Sequence, residues 1–413
     1  MRRVVITGLG AVTPNGNTFE TSWNSLLSFK SGISQITKFD TSDLNVKIAG
    51  EVKGFDPLDH GMDKKFIKRT DIVSQYVLAA ANEALRDSRI PENYYKPQRS
   101  GCTVATGFGG IETYEKNYEA MLKIGPKKVS PFLVPKFLTN MPGGWVSVQH
   151  DLQGYISSCA AACATGTVSL IDGFRAIREN SADMIVAGAG EASVTRHVVA
   201  GFANLKALST KNGTPESASS PFDKDRDGFI LSEGAAVLVL EEMDSALNRG
   251  ADIYAEITGW GITSDASHFT HPSEDGRGMV NAIDLALESS GLKPEQIQYI
   301  NAHGTSTKIN DAAETKAIRK VFGDFAGKLV VSSTKSMSGH MLSAAGAFEA
   351  AVVAKSIKEQ VVHGTANYIN FDENCDLDYC KEGSRKMTLE NVLSNSFGFG
   401  GVNAVAAFTR FSV

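Results

Sequence analysis

A short motif occurs twice in this chain, once at its start and once past its midpoint. The stretch Ile6 to Gly10 reads I-T-G-L-G, and the stretch Ile257 to Gly261 reads I-T-G-W-G. The first copy ends a short β-branched run that predicts a buried strand. A second similarity links Cys163-Ala-Thr-Gly166 with Ser343-Ala-Ala-Gly346, each at the start of a predicted helix. Internal repetition of this kind predicts a fold built from two related halves.

Predicted strands and helices alternate between these repeats. Apolar residues from Ile72 to Leu85 recur with helical spacing, and the strand-like run Cys102 to Thr106 follows them. The runs Asp183 to Gly188 and Ile297 to Ala302 predict buried strands, each after a helix that could cross over to a parallel neighbour. This order is typical of the α/β class.

Length and composition allow both halves to share one core. The chain has 413 residues, of which 42% are hydrophobic, and no linker rich in proline or serine interrupts it. We therefore expect one compact body that consists of an N-terminal half, residues 1–251, and a C-terminal half, residues 252–413.

Charge and cysteine content exclude several functional classes. Lysine and arginine number 41 against 46 acidic residues, so an average surface attracts neither nucleic acid nor an anionic membrane. The five cysteines lack regular spacing, which favours reduced thiols over a disulfide framework. The apolar stretch after the basic start is too short for a signal peptide, and no run reaches the roughly 20 apolar residues that cross a bilayer. We expect a cytoplasmic protein without nucleic-acid or membrane partners.

Cys163 lies at the predicted N-terminus of a helix. Apolar residues recur at three-residue steps from Val168 to Ile177, so the helix begins at or just before Cys163. Free N–H groups and the positive end of the helix dipole favour a thiolate there, and the N–H of Cys163 can help to stabilise an oxyanion. Cys159, in the strand-like part, is expected to be a small buried residue. From position alone, an inert buried cysteine is the more ordinary interpretation of Cys163, because buried cysteines are common.

Two histidines lie on glycine-containing turns that follow buried strands. His303 is in N-A-H-G-T-S-T, and His340 ends S-S-T-K-S-M-S-G-H. A lone histidine on such a turn is usually structural, but two of them point to a site. Lys335 lies in the second turn, and Glu349 lies in the otherwise nearly all small and apolar helix Ser343 to Ile357, so we expect the two charges to pair.

Three further patterns are weaker. The loop S-N-S-F-G-F-G-G-V-N from Ser394 to Asn403 frees backbone N–H groups to approach a ligand, although a tight turn explains it equally. His268 and His271 have no further ligand cluster beside them, so no metal site is expected. Gly107 to Gly110 lacks the full dinucleotide fingerprint and the phosphate-loop lysine, so no nucleotide cofactor is expected.

Together these motifs resemble those of the elongating 3-oxoacyl-(acyl-carrier-protein) synthases, most closely the type II condensing enzymes. The resemblance extends from the first strand to the closing glycine loop, and the motifs occur in the family's order. It implies the thiolase fold, a five-layered αβαβα body of two duplicated halves, usually a homodimer. It also implies an acyltransferase of fatty acid elongation. Such an enzyme joins malonyl-carrier protein to an acyl group held on a cysteine, and releases carbon dioxide and a 3-oxoacyl-carrier protein.

The resemblance further implies a role for each site residue. Cys163 would be the acylated nucleophile, and its N–H and that of Phe399 would form the oxyanion hole. His303 and His340 would stabilise the enolate, while Lys335, supported by Glu349, would set the field around His303. The substrate-binding residues that the resemblance implies are Phe108, Thr305, Thr307 and Phe399. No cofactor is implied, because the phosphopantetheine arm belongs to the carrier protein.

Three residues depart from the family pattern. Val402 stands where threonine or histidine is common, and Lys308 stands where proline is frequent. Phe108 replaces a usually smaller or aliphatic residue on the wall of the acyl channel. A phenyl ring there predicts a short pocket, which favours short and medium acyl groups over long ones.

A basic patch is expected to receive the acidic carrier protein, although the chain as a whole is negative. Its first part falls on one predicted helical face and its second part is a lysine pair, and a solvated charged surface is the ordinary alternative. The residues of this basic patch are Lys64, Lys65, Lys68, Arg69, Lys127 and Lys128.

Four other functions fit parts of the pattern. A thiolase acting on coenzyme A thioesters would have a second cysteine near the C-terminus, which the loop from Phe397 to Asn403 lacks. A non-catalytic partner subunit would lack the nucleophile, and a starter-type synthase would have asparagine in place of one histidine. A ketosynthase of a specialised lipid or polyketide pathway is the alternative that the motifs leave open.

Overall fold

The computed structural model describes residues 1–412. The strands are β1 (Val4–Val12), β2 (Ser34–Gln35), β3 (Ile48–Ala49), β4 (Ser100–Ala105), β5 (Ile156–Ser157), β6 (Met184–Glu191), β7 (Gly234–Glu242), β8 (Ala255–Ser264), β9 (Tyr299–Asn301), β10 (Val330–Ser332), β11 (Val361–Val362), β12 (Arg385–Lys386), β13 (Asn391–Gly398) and β14 (Val402–Thr409). The α-helices are α1 (Phe19–Leu27), α2 (Lys64–Arg69), α3 (Ile72–Ser88), α4 (Ile111–Ile124), α5 (Leu133–Phe137), α6 (Met141–Gln149), α7 (Thr165–Arg178), α8 (Arg196–Asn204), α9 (Met243–Asn248), α10 (Arg277–Ser290), α11 (Lys308–Phe322), α12 (Lys335–Ser338) and α13 (Ala345–Glu359).

Ten of the strands form one sheet in the order β10-β9-β13-β14-β8-β1-β7-β6-β4-β5. From β1 outward, two antiparallel pairings are followed by two parallel ones. From β8 outward, the same sequence of pairings recurs through β14, β13, β9 and β10. Strands β1 and β8 pair with each other and join the two sets. The predicted duplication is therefore present in the topology.

Close packing of a helix against a strand explains the glycines of the repeated I-T-G-x-G motif. Its glycines lie on β1 and β8, where a helix crosses each strand at very short range. A Cβ on Gly10 would come 2.0 Å from the Ala80 carbonyl oxygen of α3, and one on Gly261 would come 2.1 Å from the Ala282 carbonyl oxygen of α10. Only glycine allows this approach, so the motif fixes the outer helices α3 and α10 in the same way in both halves.

Helices α7 and α13 pack against each other between the two sets of strands. A Cβ on Gly166 would come 2.4 Å from the Ala347 amide nitrogen, and one on Gly346 would come 2.8 Å from that of Thr167. With α3 outside the first set and α10 outside the second, the layers run αβαβα. The five-layered architecture expected from the resemblance is confirmed.

One prediction about the nucleophile region is wrong. Cys159 is exposed, not a buried residue of a strand. The reason is that β5 has only two residues and lies at the edge of the sheet, so the chain after Ser157 leaves the packed interior. In residues 1–412, no helix combines the length and apolar character that spanning a membrane requires.

Candidate active site

A cavity of about 450 Å³ lies where the two halves meet. The predicted catalytic and substrate-binding residues that line it come from both halves. Its lining includes Phe108, Cys163, His303, Thr305, Thr307, His340 and Phe399. Phosphopantetheine-sized ligands and acyl chains need a concave and largely apolar site of this kind.

Cys163 sits in a 3-10 turn, Ala162–Ala164, that leads directly into α7. The turn brings Cys163 against the glycine loop, because a Cβ on Gly398 would lie 3.3 Å from the Cys163 amide nitrogen. The N–H groups of Phe399 and of Cys163 itself both act to lower the pKa of the thiol. These are the two donors expected to hold an oxyanion at this position.

The resting thiol is nevertheless not a thiolate. Burial raises the pKa of Cys163 to about 11, and this effect exceeds the opposing influence of the Lys335 charge and of the two N–H groups. The expected influence of the helix N-terminus in favour of a thiolate is therefore outweighed by burial. Sequence position reveals the nearby N–H groups but not how much protein packs around the thiol.

His303 and His340 face each other across the cavity. Their ring centroids are 5.4 Å apart, with the ring planes nearly perpendicular. Burial and the Lys335 charge lower the pKa of both imidazoles well below the ordinary value, so both rings are neutral. The Nδ1 atom of each ring is buried without a hydrogen-bond partner among residues 1–412, which leaves the Nε2 edge for a ligand.

Lys335 and Glu349 form a buried ion pair, as their positions in the sequence predict. Both side chains are about 1% exposed, and the Lys335 ammonium donates to Glu349 Oε1. Thr334 donates a second hydrogen bond to the same oxygen, at 3.2 Å. The pair therefore holds a positive charge beneath the two histidines, where it keeps their imidazoles neutral.

The turn that carries His303 is fixed by two carboxylates that sequence patterns do not single out. Glu314 Oε1 accepts a hydrogen bond from the His303 N–H, and its Oε2 accepts one from the Gly304 N–H, each at 2.9 Å. Asp311 accepts from the next two at 3.0 and 3.1 Å. Both acids lie on α11, directly after the motif, so an acidic pair early in that helix is the available signal. The hydroxyls of Thr305 and Thr307, 3.0 Å apart, lie on the same turn.

Aromatic rings form one side of the cavity. Phe108 is 38% exposed and meets the edge of Phe202 with the ring centroids 6.4 Å apart. Phe202 in turn contacts Phe229 at 5.4 Å and Phe399 at 6.3 Å. Phe108 is thus placed on the cavity wall, and Phe202 is a wall residue that the sequence patterns do not reveal.

The basic patch lies apart from this cavity. Its first four residues are exposed on α2, and Lys127 and Lys128 are exposed on a 3-10 turn, Pro126–Lys128. None of the six lines the cavity. The two parts approach each other through the Arg69 guanidinium, which lies 5.9 Å from the centre of the Phe132 ring.

Comparison with known proteins places this arrangement in a family. The family model described as the N-terminal domain of beta-ketoacyl synthase matches residues 1–246, and the model of the C-terminal domain matches residues 254–369. The 3-oxoacyl-(acyl-carrier-protein) synthase 2 of Coxiella burnetii is 46% identical over 409 residues, which cover 99% of each chain.

Solved structures agree with this relationship. A beta-ketoacyl synthase from Burkholderia phymatum is 34% identical and superimposes with a TM-score of 0.92, with both chains covered completely. A chain from a complex between a type II polyketide synthase acyl-carrier protein and its ketosynthase, bound to the hexaketide, is 31% identical. It superimposes with a TM-score of 0.90, again with both chains covered completely.

Proposed function

Because this chain belongs to the beta-ketoacyl synthase family, we propose that it is a 3-oxoacyl-(acyl-carrier-protein) synthase of type 2 that elongates fatty acids. It is an acyltransferase that carries out a decarboxylative Claisen condensation. One acyl group on a carrier protein and one malonyl group on a second carrier protein give a 3-oxoacyl-carrier protein and carbon dioxide.

In the first step, Cys163 takes the acyl group from the carrier thioester. The Cys163 sulfur attacks the thioester carbonyl, and the tetrahedral oxyanion is held by the N–H groups of Cys163 and Phe399. The carrier thiolate leaves and takes the proton that Cys163 loses, so the number of thiol protons is unchanged. Since the resting thiol is neutral, the positive charge of Lys335 and the two N–H groups act mainly on the transition state.

In the second step, malonyl-carrier protein enters and loses carbon dioxide. The electron pair of the broken carbon–carbon bond moves onto the thioester, whose oxygen becomes an enolate. Neutral His303 and His340 donate hydrogen bonds to this oxygen from Nε2 in the tautomer that carries the proton on Nε2, and Nε2 is the nitrogen left for a ligand because Nδ1 is buried without a partner among residues 1–412. Thr305 and Thr307 bind the pantetheine arm from the adjacent turn.

In the third step, the enolate carbon attacks the Cys163 thioester. The same two N–H groups hold the second tetrahedral oxyanion, and collapse expels the Cys163 thiolate with release of the 3-oxoacyl-carrier protein. The thiolate then takes up one proton from solvent, which restores the neutral thiol. The observation that carries this proposal is the convergence of Cys163, the Phe399 N–H, His303 and His340 on one cavity. The direct test incubates the purified protein with malonyl- and acyl-carrier protein and measures released carbon dioxide together with the mass of the product.

The pathway alternative receives less support from the comparisons. The polyketide complex chain is 31% identical, whereas the synthase 2 of Coxiella burnetii is 46% identical. We therefore favour saturated acyl-carrier proteins as substrates. A protein that extends only 3-oxoacyl chains, without reduction between rounds, would favour the polyketide alternative.

We propose that the carrier protein docks on the basic patch. Four exposed cations on α2 and two on the neighbouring turn supply local positive charge on a chain whose formal balance is −5. Changing Lys65 and Arg69 to glutamate should raise the Michaelis constant for carrier protein and flatten its salt dependence. Changing the exposed Lys293 and Lys386 to glutamate is the matched control, with the same change in net charge. An equal response of both double variants would contradict the docking proposal.

We also propose that two copies of the chain associate through an exposed apolar face beside β5. No residue of α4 is buried, and β5 leaves one edge of the sheet unpaired in residues 1–412. Such an apolar surface around an open sheet edge is typical of subunit contacts. The exposed apolar residues of this face are Tyr114, Tyr118, Leu122, Ile124, Val134, Val148 and Ile156.

Light scattering should give twice the chain mass. The variant Ile156→Asp should lower it to one chain mass at micromolar concentration, and an unchanged mass would contradict this surface. We propose a cytoplasmic location as well, which the five free cysteines support because a reducing compartment keeps thiols unpaired.

A further inference from the structure

A buried carboxyl group lies behind the cavity wall and has no part in the steps above. Glu191 is the last residue of β6 and is fully buried. It lines the cavity together with Cys163. Four hydrogen-bond contacts surround its carboxyl group, from Thr106 Oγ1 at 3.3 Å, Gly107 N at 3.2 Å, Phe108 N at 3.4 Å and Ser343 Oγ at 2.7 Å.

These contacts join the two halves of the cavity. Residues 106–108 form the turn that carries the phenyl wall, and Ser343 lies in the 3-10 turn before α13. No lysine or arginine pairs with Glu191 among residues 1–412. A buried carboxylate without a counter-ion costs free energy. Glu191 must therefore either be stabilised as a carboxylate by its hydrogen bonds or remain protonated.

The contacts of the Ser343 hydroxyl indicate whether Glu191 is ionised or protonated. It lies 2.8 Å from the carbonyl oxygen of Gly190 and 2.7 Å from Glu191 Oε2. A hydroxyl has one proton, and a carbonyl oxygen can only accept. If Glu191 were ionised, one of these two short contacts would lack a hydrogen. If Glu191 carries the proton, it donates to Ser343, which donates to Gly190, and both contacts are hydrogen bonds.

The charges around Cys163 point the same way. Burial raises the pKa of Glu191 to about 7. A negative charge on Glu191 raises the pKa of the Cys163 thiol, against the lowering influence of Lys335. The neighbouring His303 and His340 are neutral because burial and Lys335 lower their pKa. Lys206, Asp227, Asp265, His271 and Lys308 also line the cavity, but the charges that act most strongly on the pKa of Cys163 are those of Lys335 and Glu191. Glu191 is thus the group whose ionisation near neutral pH acts against the nucleophile.

We propose that Glu191 is a positioning residue that stays protonated while Cys163 reacts, that it fastens the Phe108 turn to Ser343, and that its ionisation slows Cys163. This inference rests on the proposed function, in which Cys163 is the nucleophile. Glu191 takes no part in the bonds that form and break in the proposed steps, so it acts through the turn that it holds and through its charge.

The test measures the rate at which iodoacetamide alkylates Cys163 between about pH 6 and pH 9. A Cys159→Ser background removes the neighbouring exposed thiol. Glu191→Gln is the decisive variant, since its amide keeps a donor toward Ser343 and an acceptor toward Thr106 and Phe108 but cannot ionise. Wild type should show an inflection near pH 7, above which the rate rises less steeply. Glu191→Gln should lack the inflection and react about 3 to 10 times faster at pH 8, because one pKa unit is tenfold in thiolate.

Coinciding pH profiles of wild type and Glu191→Gln would overturn the proposal. If Glu191→Gln does not fold, Glu191→Asp decides, because it keeps an ionisable group with a shorter reach and should move the inflection. An inflection that stays in place in Glu191→Asp belongs to another group and also overturns it. Alkylation needs no carrier protein, so a failure of the proposed function would show separately, as wild-type protein that takes no acyl group from acyl-carrier protein.

Discussion

Cys163 and Ser343 occupy equivalent positions in the two halves of the molecule. Each is the middle residue of a 3-10 turn that leads into a central helix. Each follows a residue with a positive φ, 48° at Ala162 and 45° at Leu342. Cys163 opens onto the cavity with its thiol, whereas the Ser343 hydroxyl is occupied by Gly190 and Glu191. The two halves therefore have the same turn before their central helices. The side chain at this position, a cysteine in one half and a serine in the other, determines which turn carries the nucleophile.

The central helices differ in the same way. Glu349, four residues into α13, forms the buried ion pair with Lys335. The corresponding residue of α7 is Ser169, whose buried hydroxyl has no hydrogen-bond partner among residues 1–412. We infer a division of labour, in which the N-terminal half supplies the cysteine that carries the acyl group and the C-terminal half supplies the histidines that activate the malonyl group.

The largest effect is expected from the two equivalent turn residues. Cys163→Ala should lower the rate of condensation by about 10⁴-fold or more, because no other group can carry the acyl chain. Ser343→Ala should lower it less than about tenfold, since Ser343 acts only through Glu191. Steady-state rates of 3-oxoacyl formation measure both. Similar losses in the two variants would break the comparison.

The second effect concerns the ion pair. Glu349→Gln leaves the Lys335 charge buried without its partner, which should lower the free energy of unfolding by about 3 to 5 kcal/mol. Ser169→Ala, at the equivalent position, should change it by less than about 1 kcal/mol. Urea unfolding measures both values. The double variant Lys335→Met with Glu349→Leu is the control, and it should recover most of the stability because no charge is left unpaired.

The third effect is a pH dependence of opposite sign at two buried groups, one in each half. His363 is buried in the C-terminal half, where its Nδ1–H donates to the Gly364 carbonyl at 3.0 Å and Nε2 lies 3.2 Å from the Tyr299 hydroxyl. Burial lowers its pKa from 6.5 to about 4. Between pH 6.5 and pH 4 the unfolded chain binds more protons at this histidine than the folded chain does. The free energy of unfolding therefore falls by about 3 kcal/mol as the pH drops from 6.5 to 4.

Glu191 behaves in the reverse sense. Its pKa is raised from 4.5 to about 7, so the folded chain binds more protons between these values and stability falls as the pH rises through that range. The free energy of unfolding, measured with urea from pH 4 to 8, should therefore lose part of its acid-side slope in His363→Gln and part of its opposite slope in Glu191→Gln. Variants with curves parallel to wild type would show that neither group titrates differently on folding.

The smallest effect concerns the acyl wall. Phe108→Ala should shift the preference toward longer acyl groups by about tenfold, because a long chain no longer has to displace a packed ring. The rate at which malonyl-carrier protein loses carbon dioxide should stay unchanged, since the histidines belong to the other half. Competition between short and long acyl-carrier proteins measures the preference. A parallel loss of decarboxylation would contradict the division of labour.

Local motifs explain why much of the site could be predicted. His303, His340 and Cys163 each lie where a strand or turn meets a helix, and sequence spacing marks such junctions. The acid-base state could not be predicted, because the pKa of Cys163 depends on burial by residues from both halves. Glu191 was not predicted for a similar reason, since its partners at Thr106 and Ser343 are far apart in the sequence.

The most direct test of the division of labour is the mass of the acyl-enzyme in the variant His303→Gln. Protein incubated with acyl-carrier protein alone is digested, and mass spectrometry locates the acyl group. We predict one acyl group per chain on Cys163, both in wild type and in His303→Gln. We also predict that the variant releases no carbon dioxide after malonyl-carrier protein is added. An acyl group on Cys159, or His303→Gln that is not acylated, would contradict it.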